Sequence, residues 1–282
     1  MTAEPAALPQ PPESAVPDEP TGPHASAASP EPAGPDEPTG PHASAESAAG
    51  HEESAAGPES AAPPGYPPTD RSVPTRSRER AAYDRETVHA ILDEGYVCHL
   101  GFVRDGRPVV LPTLYARVGE RLYVHGSTGS RPLRGAGAGL AVCLTVTHVD
   151  GLVLARSAFH HSINYRSVVV HGVAHQVQDP EERALALDAI VEQAVPGRAA
   201  DSRRANAKEL AATSVIRLDL LEVSAKLRTG GPNDEPEDLE LPYWTGVVPV
   251  TRAYGTPVPA DDLDPAVTLP GYLSPAGPRG GV

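Results

Sequence analysis

Between Tyr96 and Gly126 the apolar residues recur at every second position, broken twice by turn signals. This pattern restricts the fold more than any other feature of the chain. YVCHLGFV (96–103) and PVVLPTLYARV (108–118) flank Arg104-Asp105-Gly106-Arg107, and a central Asp-Gly between alternating runs is a strong hairpin signal. Gly119-Glu120 makes a second tight turn into RLYVHG (121–126). Three consecutive antiparallel strands follow from that spacing.

The flanking segments complete the pattern. Asp84 caps a predicted helix over 85–94, with Val88, Ile91 and Leu92 on one face and Gly95 as its stop. Residues 130–139 read as a short helix, and LAVCLTVTHV (140–149) as a strand buried on both faces. Asp150-Gly151 is read as a turn into LVLARSAF, and 164–179 as a long strand. Pro180 opens a helix to 195, and a further helix covers 201–211. Residues 214–228 read as one last long strand, with Ile216, Leu218 and Leu220 on one face. Many short strands with helices at the margins point to a mainly β fold, a closed antiparallel barrel with helical decoration.

Composition separates this part from what precedes it. Residues 1–70 hold 12 acidic and no basic residues, whereas the remainder holds 25 acidic and 23 basic. The net charge of −14 therefore belongs to the N-terminal segment. That segment is Pro, Ala, Ser, Gly and Glu, and it repeats PDEPTGPHASA (17–27 and 35–45) and ESAAG (46–50 and 53–57). With almost no branched apolar residues it cannot offset the entropy of ordering, so a disordered acidic tail is expected over 1–75. A folded domain is expected over 76–230, with order beginning near Tyr83. Over 231–282 an extension is expected to dock around 241–255, through Tyr243, Trp244 and VVPV, and then fray. No run reaches the roughly 18–20 apolar residues of a membrane span, and no signal peptide is evident. Cys98 and Cys143 sit in apolar runs, as reduced thiols do, so the expectation is cytoplasmic.

Three stretches carry potential chemistry. His125-Gly126-Ser127-Thr128-Gly129-Ser130-Arg131-Pro132-Leu133-Arg134 joins a strand end to a helix start. Three hydroxyls, two guanidinium groups and unpaired N–H groups there suit a phosphate monoester; a polar loop with an ordinary N-cap serine is the alternative. Leu111-Pro112-Thr113 places a proline within a strand, which marks an edge or a break in pairing. His160-His161, with Tyr165 beyond, could serve acid–base work or ligate a metal or haem. Adjacent strand residues face opposite ways, however, and no third ligand follows at a diagnostic spacing, so no metal site is expected. A nucleophile elbow, a Walker A loop, a dinucleotide fingerprint and a basic aromatic face are all missing, which argues against a serine hydrolase, an NTPase, a Rossmann enzyme and a nucleic-acid binder.

Taken together, Tyr83–Arg228 resembles the pyridoxamine-phosphate-oxidase-like flavin-binding superfamily, within it the branch of nitroimidazole-resistance-type and flavin-nucleotide-binding proteins. HLGFV, PVVLPTLYAR, LYVHGSTGSRPLR, AVCLTV and NYRSVVVHGVA carry the likeness. The resemblance implies a six-stranded antiparallel split β-barrel of the FMN-binding type, a homodimer with FMN at the subunit interface. It maps the phosphate onto Ser127, Thr128, Ser130 and Arg131, with Arg134 a weaker candidate. It lays the isoalloxazine ring along Leu111, Pro112 and Thr113, and brings Arg166 and Ser167 in from the side or from the other subunit. The Arg-x-His-type substrate motif of pyridoxamine-phosphate oxidase is not found near the C-terminus, which argues against the vitamin-B6 reaction.

The function this implies is an FMN-dependent oxidoreductase passing electrons from NADH or NADPH to a small organic acceptor. His160, His161 and Tyr165 are then candidates for placing a substrate. Kept beside it are a flavin-nucleotide-binding protein without turnover, a haem-handling relative using His160 or His161, and a deazaflavin user.

Overall fold

The computed structural model describes residues 65–129 and 136–273. Ordered contacts begin ahead of the opening helix, earlier than the expected start near Tyr83. Tyr66 is buried, its amide donates to the Tyr83 carbonyl at 2.8 Å, and its hydroxyl donates to Glu120 at 2.8 Å. The Tyr66 ring removes apolar area from water, and Arg71 pairing with Glu222 and the Tyr83 hydroxyl donating to the Ser72 carbonyl fasten the same stretch.

Two-residue strand β1 (Ala81–Ala82) leads into α1 (Arg85–Glu94). Asp84 caps the helix by accepting from the Thr87 amide at 2.7 Å, and Val88, Ile91 and Leu92 face the core. Gly95 stops it, though not through a left-handed conformation, since its φ is −81°. A β-carbon there would lie 2.6 Å from the Tyr115 hydroxyl and 3.0 Å from Val146, so close packing is what requires glycine. The last carbonyls of α1 are met by side chains from elsewhere. His148 reaches Ile91, the Tyr115 hydroxyl donates to Leu92, and Gln193 donates to Leu92 and Gly95.

Next come β2 (Val97–Arg104), β3 (Arg107–Val118), β4 (Arg121–Ser127), β5 (Leu140–Leu154) and β6 (Ser162–Gln176). They are followed by α2 (Pro180–Ala194), α3 (Ala207–Ala212), β7 (Thr213–Asp219), β8 (Glu222–Arg228) and β9 (Gly246–Pro249). The β2–β3 turn has positive φ at both Asp105 and Gly106, as a tight two-residue hairpin demands. Every pairing is antiparallel, and six strands close a ring in the order β2-β3-β4-β7-β6-β5. The mainly β, six-stranded closure expected from the sequence is present.

Three expectations of local structure are corrected. Asp150-Gly151 is not a turn: β5 runs straight through it, with a bulge where the register to β6 shifts after Val149. The Asp150 carboxylate is held by Arg166 on β6, and Gly151 gives β9 room to pack. Residues 214–228 are not one strand either. The chain bends at Leu220–Leu221, where the Leu220 amide donates to Glu120, so β7 joins β4 while β8 joins β6. The helix expected over 201–211 is confined to Ala207–Ala212 and is closed by an Asn206–Glu209 capping box.

The main core fills the ring with Leu100, Phe102, Leu122, Leu144, Val168 and Ile216, closed at one side by α1. A second cluster lies under α2, where Tyr123, Ala186, Ile190 and Val215 meet. Among the described residues no helix is long and apolar enough to cross a membrane.

Candidate functional site

The ring is closed by two short seams. β3 meets β4 only from Tyr115 to Val118, and β6 meets β7 only at His175 and Gln176. Beyond Tyr115 and Val124 the strands β3 and β4 diverge. The stretch Arg107–Leu114 keeps β2 as its one partner, while His125, Gly126 and Ser127 pair only with β7. Pro112, opposite His99, thus lies on a strand segment with an open edge, where a missing N–H costs no ladder bond on that side. Leu111 and Pro112 are exposed and Thr113 is half-buried. A strand exposed on both faces leaves backbone polar groups and apolar side chains available to a flat, partly polar ring.

Across the split stands the end of β4. The Ser127 hydroxyl accepts from the Gly129 amide at 3.1 Å, a turn that folds the backbone round its own side chain. Thr128 donates from its amide (2.9 Å) and its hydroxyl (3.2 Å) to the Ala212 carbonyl, which ties the loop to the end of α3. Ser130, Arg131 and Arg134 lie outside the described residues. Leu111–Thr113 and Ser127 thus lie on the two strand ends that continue, unpaired with each other, beyond the Tyr115–Val124 seam.

The remaining sequence candidates lie elsewhere in the protomer. Arg166, three strands from β3, is gripped by two carboxylates: Asp150 at 2.9 and 3.0 Å, and Glu94, whose second oxygen lies 3.0 Å away. These pairings hold the guanidinium firmly protonated, and the Arg166 hydrogen bonds hold the Glu94 carboxyl below the usual carboxylate range. Ser167 donates to the Lys226 carbonyl at 3.2 Å. His160 ends a short 3₁₀ turn and faces Glu235 at 3.5 Å. His161 is exposed, with Nδ1 2.9 Å from the Ser157 carbonyl oxygen. Tyr165 is half-buried on β6, opposite Val149 and Arg228.

A polar cluster that the sequence reading did not single out lies beside Arg166. His148 is buried, and Arg252 approaches its Nδ1 at 3.5 Å while stacking over the Tyr96 ring at 5.4 Å. With His99 and Thr147 they line a pocket of about 190 Å³, adjoining Pro112 through the His99–Pro112 register pair. Arg252 arrives there because β9 adds to the edge of β5. The one advance signal was a histidine at an inward position of an apolar strand; nothing local marks Arg252. No group of three metal-ligating side chains occurs among the described residues.

A sequence model of the family described as pyridoxamine 5'-phosphate oxidase matches residues 84–227. Two solved structures are similar over nearly their whole length. The flavocytochrome Anf3 from Azotobacter vinelandii is 39% identical, covers 73% of this chain and 96% of its own, and has a TM-score of 0.69. The FAD and heme binding protein from Mycobacterium smegmatis is 39% identical, with coverages of 69% and 95% and a TM-score of 0.65. A putative 5-nitroimidazole antibiotic resistance protein from Bacteroides thetaiotaomicron is 19% identical, with coverages of 52% and 85% and a TM-score of 0.44. A search of curated proteins returns no match.

Proposed function

Because this chain belongs to the pyridoxamine 5'-phosphate oxidase family, we propose that it is a flavin-binding redox protein holding an FMN unit at the split between β3 and β4. The observation that carries this reading is the open β3 edge at Leu111–Thr113, on the same side of the Tyr115–Val124 seam as the hydroxyl-bearing end of β4. The residues fit the group: a planar ring takes the uncovered strand, and a phosphate takes the Ser127 hydroxyl, whose oxygen accepts from Gly129 while its proton stays free to donate, and the arginines that follow in sequence. When bound, the flavin supplies hydride and electron transfer, and the chain's part is to orient it and exclude water. A reduced nicotinamide as donor and a small organic acceptor complete the proposal. The working unit is a homodimer, a reading favoured by exposed Val97, Val110 and Leu114 grouped on neighbouring strands β2 and β3.

The test is an absorption spectrum of the purified full chain with added FMN or FAD, followed by anaerobic NADH or NADPH. Flavin bands that bleach with the nicotinamide support the redox reading. Bands that persist favour a flavin carrier. No flavin bound after reconstitution overturns the proposal.

A second reading adds haem. Two structures at 39% identity are a flavocytochrome and an FAD and heme binding protein, and one histidine here has the required polarity. A carbonyl only accepts, so the Ser157 contact puts the proton of His161 on Nδ1 and leaves the Nε2 lone pair toward solvent. Exposed Ile163, Leu152 and Val248, neighbours in register across β6, β5 and β9, form an apolar face on that side of the fold. Added haemin giving a Soret band that His161→Ala abolishes supports this reading; a band untouched by that substitution sinks it.

A further inference from the structure

Arg252 reaches the pocket beside His99 and His148 from outside the ring of strands. β9 pairs with Gly151–Leu154 on β5, and the Val250 amide donates to the Asp150 carbonyl at 3.0 Å, which delivers the residues that follow to the pocket. The guanidinium lies 5.4 Å from the centroid of the Tyr96 ring, and one of its nitrogens approaches His148 Nδ1 at 3.5 Å. A ring face supports the guanidinium plane but takes none of its in-plane N–H groups, so a fork of donors stays open to a planar anion. Glu94, the carboxylate that feels the Arg252 charge, is itself held by hydrogen bonds from Arg166.

The pocket holds about 190 Å³, with His99, Thr147 and His148 beside Arg252 on its polar side and Tyr96 and Val97 on its apolar side. Sites that enclose a whole small molecule usually measure about 300–1,000 Å³. This one matches roughly six water molecules at about 30 Å³ each. It has room for a head group, and the rest of a ligand extends out of it. His99 links the pocket to the open β3 edge. Burial alternates along β2 so that His99 points away from the core, and its register partner is Pro112. Register partners on one face of a sheet have their β-carbons about 4.5–5.5 Å apart. A molecule anchored at Arg252 thus passes His99 and arrives at the strand segment that the flavin reading gives to the ring.

We propose that this pocket anchors the carboxylate of a small organic acceptor, with Arg252 the residue that selects an anion. The inference rests on the flavin reading above and narrows its acceptor from any small organic molecule to an anionic one. The carboxylate takes two in-plane N–H groups of Arg252, and the Thr147 hydroxyl is a further donor. The remainder of the molecule lies along His99 toward Pro112.

The experiment titrates the full chain by calorimetry with sodium benzoate and with neutral benzamide. Both titrations are run without flavin and again with added FMN or FAD, following the flavin absorption bands. Benzoate is expected to bind at least about tenfold more tightly than benzamide and to shift the flavin bands as it binds. Arg252→Gln, at an exposed position where folding is not at stake, is expected to weaken benzoate about tenfold and to leave benzamide unchanged. Arg252→Lys, which keeps the charge but loses the fork, is expected to fall between the two. Arg203→Gln removes the same charge away from the pocket and is expected to change neither probe. No benzoate binding, equal binding of the two probes, or benzoate binding untouched by Arg252→Gln overturns the inference while the flavin reading stands. Benzoate that binds without shifting the flavin bands overturns the placement beside the ring. Arg252-dependent benzoate binding by a chain that takes up neither flavin overturns the flavin reading, and with it the acceptor role, while the anion site stands.

Discussion

The Nε2 of His148, on β5, lies 3.0 Å from the carbonyl oxygen of Ile91 in the last turn of α1. The carbonyl only accepts, so the proton sits on Nε2, and Nδ1 is turned toward Arg252 and Glu94. One buried ring therefore closes a helix end and anchors the polar cluster beside the ring of strands.

Replacing that ring removes a buried donor. His148→Leu keeps similar bulk but leaves the Ile91 carbonyl without its side-chain partner, which costs roughly 1–3 kcal/mol. Urea unfolding followed by circular dichroism is expected to show a lower midpoint at an unchanged slope. An unchanged midpoint would mean that water replaces the imidazole without penalty.

Glu94 predicts a pH signature. Hydrogen bonding from Arg166 is the largest influence on its carboxyl and lowers the pKa below its ordinary 4.5, against the opposing effect of burial. A carboxyl whose pKa is lower folded than unfolded stabilises the protein above the unfolded value, and that contribution is lost as pH falls through the folded value. Glu94→Gln is thus expected to cost less than about 1 kcal/mol of stability at pH 7, because the pair is partly exposed, and so to lower Tm. The gap between variant and parent should shrink as pH drops below 4.5. A gap that holds constant with pH contradicts the assignment.

The two cysteines should react at different rates. Cys98 is fully buried and burial pushes its thiol up to about 12, whereas Cys143 is half-buried. Since the thiolate is the nucleophile, a disulfide reagent at pH 8 is expected to modify Cys143 first and Cys98 only on unfolding. Mass mapping of the labelled peptides decides it, and fast labelling of Cys98 would show that its strand opens.

For the phosphate, the sequence supplies the sharpest substitution. Arg131→Ala is expected to weaken flavin binding by about 1.5–3 kcal/mol, the worth of one hydrogen bond to a charged group. Titration of the stripped protein with FMN and with FAD measures it. Unchanged affinity for both flavins would remove Arg131 from the phosphate site.

Much of this molecule was legible in short-range pattern. The Asp84 cap and the Val88, Ile91, Leu92 face of α1 depend on residues within one helical turn. The Asp105–Gly106 hairpin depends on two backbone conformations, and α2 on Asp179 and Pro180 at its start. The site was legible to the same depth. Pro112 announced an open edge, and Ser127–Thr128 a strand end rich in hydroxyls.

The sequence by itself thus determined the opening helix, its cap and the three-strand meander with its tight turns, because those properties are set by dihedral preference and local hydrogen bonding. Only the tertiary structure decided partners. Asp150–Gly151 carries the signature of a turn, yet Arg166, 16 residues away, holds it as a bulge within a continuing strand. Residues 214–228 alternate like one strand, yet β4 and β6 divide them at Leu220. His148, Gln193 and Arg252 were likewise placed by pairings that span the chain. Such contacts are chosen by the joint packing of distant segments, which no local window contains.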